Sequence, residues 1–205
     1  MMDMKRRNFL RYTRALLHCA CAAICFFLAS CTSIKIPGED ARMLRDLSSE
    51  YYSIGAAYAE LKQYEKAVSY FKLAARNKTN YRAAEYQCGR MYAFLSRWKE
   101  AETVFADLLK NDNDNRDLQA SLAYIYAMSG KLGEAEKLYA KLTADFPHDE
   151  LLAADFVRIL AAENKKPEAK QAFDTFKVNF SASAALVDLE KLVTSGSSST
   201  QASPR

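Results

Sequence analysis

The sequence predicts an all-α chain in which helix hairpins stack one on the next as a solenoid. Three observations carry that prediction. Residues 48–183 divide without insertion or gap into four segments of 34 residues, 48–81, 82–115, 116–149 and 150–183. Large and small residues recur in the same slots of each segment at helical spacing. Between those stripes lie residues that tolerate turns or stop helices. A fixed period of this length means that each unit buries its apolar face against its neighbours.

Each segment reads as two helices. In the first, positions four, seven, eight and eleven are Tyr51, Ile54, Gly55 and Tyr58, one stripe of a helix; positions twenty, twenty-four and twenty-seven are Ala67, Phe71 and Ala74, a stripe on a second. The same slots hold Glu85, Cys88, Gly89, Tyr92, Ala101, Phe105 and Leu108 in the second segment. The third and fourth segments repeat the pattern around Ala123, Ala135 and Tyr139, then Val157, Ala169 and Phe173. Small residues at positions eight and twenty mark the expected helix crossing, with aromatic residues at eleven and twenty-four beside it. Position fifteen, Lys62, Ser96, Gly130 or Asn164, is the expected turn. Pro167 suits a first helical turn, and Pro147 ends the preceding helix between segments. Residues 184–193 read as a capping helix that covers the end with Leu186, Leu189 and Val193. The Ser-rich stretch 194–205 reads as a disordered tail.

This register resembles that of the tetratricopeptide repeat (TPR) over residues 48–183. The resemblance implies a right-handed α-solenoid of four TPR helix hairpins, plus the C-terminal cap. Val157 in the fourth small slot departs from the family pattern.

The first 30 residues read as a signal peptide. Lys5, Arg6, Arg7, Arg11 and Arg14 precede the apolar stretch from Ala15 to Ala29. That stretch is shorter than the roughly 20 apolar residues that span a bilayer. Leu28-Ala29-Ser30-Cys31 resembles the bacterial lipobox, which implies diacylglyceryl transfer to the Cys31 thiol, cleavage and acylation of the new N-terminus. By resemblance to enteric lipoproteins, Thr32 in place of Asp after that Cys implies sorting to the outer membrane. The run from Lys5 to Arg11 resembles a twin-arginine motif with its first residue changed; ordinary Sec export is the expected route. Residues 31–47 then form a lipidated Cys, a tether and a helix lead-in. From Thr32 to Asp40 the tether reaches at most about 30 Å, so the solenoid works close to its membrane.

Cleavage removes the chain's net +4, because residues 1–30 carry five basic residues and one acid. The remaining chain is formally neutral and shows no basic groove, which excludes nucleic-acid binding. Of the five cysteines, only Cys88 then stays free, on an apolar slot where it reads as a small buried hydrophobe. His148 sits alone beside Pro147, with no Cys or second His to complete a zinc set. Asn111 to Asn115 fails as a calcium loop, since the Gly and Glu slots counted from Asp112 are Asp117 and Ala123. No constellation serves catalysis, and neither a cofactor nor a small-molecule substrate is expected.

What the repeat leaves is a surface. The resemblance implies a concave groove formed by the first helices through positions two, five, nine, twelve and thirteen. On this chain those positions supply Tyr52, Tyr86, Arg90, Phe94, Tyr124, Met128 and Arg158 as the candidate protein-binding residues. They read as an aromatic groove with two cationic points, of residue types enriched at binding hot spots. The carboxylate clamp of chaperone-tail binders is absent, since its slots hold Tyr52, Ala56, Gln87, Asp117 and Ser121. The expected function is therefore a membrane-anchored scaffold for protein–protein interaction at the bacterial outer membrane, of the envelope- or outer-membrane-assembly type. The alternative is a surface-displayed adhesin that binds host or neighbouring-cell components.

Overall fold

The computed structural model describes residues 39–195. The expected signal peptide, Cys31, most of the tether and tail residues 196–205 lie outside the described residues. Two compact units divide the chain, Met1–Arg42 and Met43–Arg205. Of the first, only the opening turn of one helix is described; the second carries the solenoid.

Among the described residues the structure is all-helical. The hairpins are α1 (Glu39–Glu60) with α2 (Tyr64–Ala74), α3 (Tyr81–Phe94) with α4 (Trp98–Leu109), α5 (Arg116–Met128) with α6 (Leu132–Asp145), and α7 (Glu150–Ala162) with α8 (Lys166–Asn179). The helix α9 (Leu186–Ser195) packs on both α7 and α8. Second helices begin at Tyr64, Trp98, Leu132 and Lys166, so the 34-residue period survives into the structure.

The turn inside each hairpin has one construction. Lys62, Ser96, Gly130 and Asn164 all adopt positive φ, at 57°, 56°, 81° and 59°. A left-handed residue there lets the next two amides turn back onto the helix they have just left. Lys62 N–H donates to Ala59 O and Gln63 N–H to Tyr58 O, both at 2.9 Å. The same pair of bonds recurs at Ser96 and Arg97, Gly130 and Lys131, and Asn164 and Lys165. Each turn is thus a Schellman motif, and the second helix starts two residues after the left-handed one.

Packing follows the slots, with one correction. Ala67, Ala101, Ala135 and Ala169 are buried, as are Phe71, Phe105, Tyr139 and Phe173. The close approach at position eight, however, is to the aromatic ring of position twenty-four rather than to the Ala of position twenty. A Cβ on Gly55 would lie 2.9 Å from Phe71 Cδ1, and one on Gly89 2.9 Å from Phe105 Cε2 and Cζ. The Gly is small because a ring lies across it. Val157 is buried in the fourth hairpin beside Phe173, Phe176 and Leu189, so a branched residue fits that slot.

Between repeats, polar pairs join equivalent positions. Lys131 reaches Glu102 at 2.7 Å, and Lys165 makes the corresponding bond to Glu136 one repeat later. The run Asn111 to Asn115 is a cap. Asn115 Oδ1 accepts from Leu118 N–H at 3.1 Å, and Asp112 accepts from Asn115 and from Arg82.

Both ends differ from expectation. The lead-in is already helix from Glu39, continuous with the first repeat, and residues 41–47 are exposed. The cap begins two residues late, after a turn at Ala184 and Ala185, and runs through Thr194 and Ser195. Thr194 is held there by its hydroxyl, which donates to Glu190 O at 2.8 Å. Leu189 is buried, with Leu186 and Val193 packed half-buried around it.

Candidate functional site

All seven candidate binding residues lie on first helices: Tyr52 on α1; Tyr86, Arg90 and Phe94 on α3; Tyr124 and Met128 on α5; Arg158 on α7. Five are half-buried, and the two arginines are exposed. The ring of Tyr52 meets Phe71 edge-on with centroids 5.3 Å apart, and Tyr86 meets Phe105 in the same way at 5.7 Å. Position five thus rests on the ring that also covers position eight, which fixes each Tyr and leaves part of it to solvent. Phe94 stacks face to face on Tyr64 of the preceding second helix at 4.9 Å, so much of its surface serves the joint between hairpins.

Two polar clusters involve the first helices, one between α1 and α3 and the other between α7 and the preceding second helix α6. In one, Gln87 Nε2 donates to the Tyr52 hydroxyl at 3.3 Å, and Arg90 Nη1 donates to Gln87 Oε1 at 3.3 Å. A neutral amide therefore steadies the Arg90 guanidinium. In the other, Arg158 Nη1 binds Asp155 Oδ1 at 2.6 Å, and the Tyr139 hydroxyl donates to Asp155 Oδ2 at 3.5 Å. Burial raises the Tyr139 phenol well above its ordinary range, and the Asp155 charge adds to that. Tyr124 is raised by the same two causes in the same order. The two expected cationic points have different partners: Arg158 pairs with the Asp155 carboxylate, whereas Arg90 is held by the Gln87 amide.

Sequence reasoning missed Gln87 and Asp155. Both occupy position six, three residues before the arginine at position nine. That (i, i+3) spacing puts the two side chains next to each other on a helix and was the available signal.

Other chemistry is sparse. Burial pushes the Cys88 thiol up to about 12, with Glu85 adding to the shift and Lys72 opposing it. Among the described residues no cluster of His, Cys, Asp and Glu is arranged to hold a metal ion. Among the same residues no helix is long and apolar enough to cross a membrane. Two open clefts, of about 600 and 810 Å³, lie against second helices and include none of the seven residues.

Helix hairpins in this register, with left-handed turns at one repeating slot and an aromatic first-helix face, define the tetratricopeptide-repeat fold. Solved structures of that fold match the chain. YrrB, described as a TPR protein with an unusual peptide-binding site, is 19% identical over 71% of this chain and 75% of its own, with a TM-score of 0.57. A tetratricopeptide repeat protein from Parabacteroides merdae is 15% identical with a TM-score of 0.65, over 72% of this chain and 59% of its own. MamA from Desulfovibrio magneticus, from residue 41 onward, is 17% identical over 67% and 77%, with a TM-score of 0.61. At these identities the likeness is one of fold. No protein-family model matches the sequence. No curated protein matches it either.

Proposed function

We propose that the chain is a lipid-anchored scaffold of the bacterial outer membrane that holds a segment of a partner protein against the first helices of its repeats. One observation carries the groove: three tyrosines at the repeat's lining positions, two of them with one edge fixed on a buried ring, flank an arginine bound to an amide rather than to a carboxylate. Rigid, half-exposed tyrosines give contact area at little entropic cost, and a cation among them orients a polar or acidic group of the partner. The peptide-binding site attributed to YrrB, a protein of the same fold, supports the reading. The anchor rests on Leu28-Ala29-Ser30-Cys31, and the outer membrane on Thr32.

Each half has its own test. Cys31→Ser should move the protein from the membrane to the soluble fraction and abolish labelling by radioactive palmitate, with helix content unchanged. Retention of that variant in the membrane overturns the anchor. Tyr86→Ala with Tyr124→Ala should reduce co-purification of the partner from cross-linked cells while leaving the fold and the membrane attachment intact. Unchanged co-purification removes the groove.

A further inference from the structure

The two ends of the solenoid are not alike. At the C-terminus α9 buries Leu189, and the side facing away from it carries Val187, Lys191 and Thr194. That largely polar outer side is what a solenoid end requires. At the N-terminus nothing comparable covers α1 among the described residues. In later repeats, positions three, seven and ten of the first helix pack on the preceding hairpin, as buried Ala84, Cys88 and Met91 do in α3. Cys88 Sγ lies 3.9 Å from Val68 O of α2, which shows what fills that side.

On α1 the same side is open. Met43, Leu47, Glu50, Ile54, Ala57 and Leu61 follow one another at steps of four and three, a heptad seam at the helix surface. Met43 is 62% exposed, Leu47 40%, Ile54 39% and Leu61 66%. In every later repeat this seam receives a helix. Here exposed Asp46 and Glu60 border it, and Glu50 interrupts it.

The charges select among occupants. A second copy paired antiparallel would set Asp46 beside Glu60, and one paired in parallel would stack Glu50 on Glu50. Helices that lie in a membrane interface carry Lys and Arg around the apolar face, whereas this face is bordered by acids. We propose that the outer face of α1 seats an amphipathic helix of a partner protein whose apolar seam is flanked by Lys or Arg. This site is separate from the first-helix groove and does not depend on it.

Two synthetic three-heptad helices test the assignment, both with Leu at a and d, one with Lys and one with Glu at e and g. Like charges at e and g keep each probe from pairing with itself. Binding is read by fluorescence anisotropy with the full-length protein in lipid nanodiscs. The Lys probe should bind about tenfold tighter than the Glu probe, and Glu50→Lys should narrow or reverse that ratio. Ile54→Asp, a surface change that leaves circular dichroism intact, should abolish binding of the Lys probe. Equal affinity for the two probes, no binding of either, or indifference to Ile54→Asp overturns the proposal. Loss of binding on Tyr124→Ala but not on Ile54→Asp would place the probe in the groove instead. Self-association that Ile54→Asp abolishes assigns the face to a second copy. Quenching of a fluorophore on Leu61→Cys by lipid-borne spin labels assigns it to the bilayer; either result overturns the proposal.

Discussion

Replacing Gly89 by Ala sets two effects of opposite sign against each other. Gly89 lies inside α3, where Ala is favoured over Gly by about 1 kcal/mol on helix propensity. A Cβ there would sit 2.9 Å from two carbons of the Phe105 ring and 3.2 Å from Val104 Cγ1. Carbon contacts are most favourable at about 3.5–4.0 Å, so the ring must move by more than half an ångström. It has little room: Phe105 is buried, and Tyr86 stands edge-on against it. Overpacking of that kind costs about 1–3 kcal/mol. The difference is a net loss of about 1 kcal/mol, or about 2–4 °C in Tm for a domain of this size. Gly133→Ala is the control. Its Cβ would meet only Glu163 Oε1 at 3.6 Å, an ordinary contact, so the substitution should stabilise by about 0.5 kcal/mol. Urea unfolding followed by circular dichroism measures both, with hydrogen exchange of the α3 and α4 amides because repeats can open separately. In a Phe105→Leu background Gly89→Ala should become stabilising, a coupling that a double-mutant cycle reads directly. If Gly89→Ala stabilises the otherwise native protein as Gly133→Ala does, the close contact is refuted.

Three further outcomes are expected. Nothing lies within 4 Å of a Cβ built on Gly130, yet Gly130→Ala should destabilise by about 1 kcal/mol through its positive φ alone, while Lys62→Gly should stabilise by a similar amount; urea midpoints decide both signs. With its pKa at about 12, the Cys88 thiol should resist iodoacetamide at pH 8 in the folded protein and react readily in denaturant, as peptide mass spectrometry will show. Glu136 is held below its ordinary value of 4.5, chiefly by its hydrogen bond from Lys165. A carboxyl depressed in the folded state contributes stability above 4.5 and loses it as pH falls below. Glu136→Gln should therefore lower Tm at pH 7 and flatten its fall below pH 4.5.

The fold was legible because it repeats. Four copies of one pattern fix helix order, the buried Ala and aromatic slots and the stacking direction, and a single misfit such as Val157 cannot disturb the register. The position-fifteen turn was legible as a turn; its left-handed geometry at Lys62 was not, because Lys does not favour positive φ and only the Schellman bonds around it hold it there. The contact at position eight was misassigned because two small residues in one hairpin invite the idea that they meet. Spatially, the bulkier Phe71 or Phe105 reaches across first. Groove positions followed from the register, but the pairing of Arg158 depended on Asp155, a neighbour outside the lining pattern. The open seam of α1 escaped notice because Ile54 occupies a slot that is core in the later repeats. Among the described residues no hairpin precedes α1, and there the slot is exposed.

The central claim is that the first-helix groove, and not the second helices, holds the partner segment. Photo-crosslinking in intact cells measures this most directly, with a benzophenone amino acid placed in turn at Tyr86, Tyr124, Thr103 and Lys137. The first two positions lie on the first-helix face; Thr103 and Lys137 are exposed on second helices. The account predicts one common protein adduct from Tyr86 and Tyr124 and none from Thr103 or Lys137. Adducts from the second helices, with none from the two tyrosines, would contradict it.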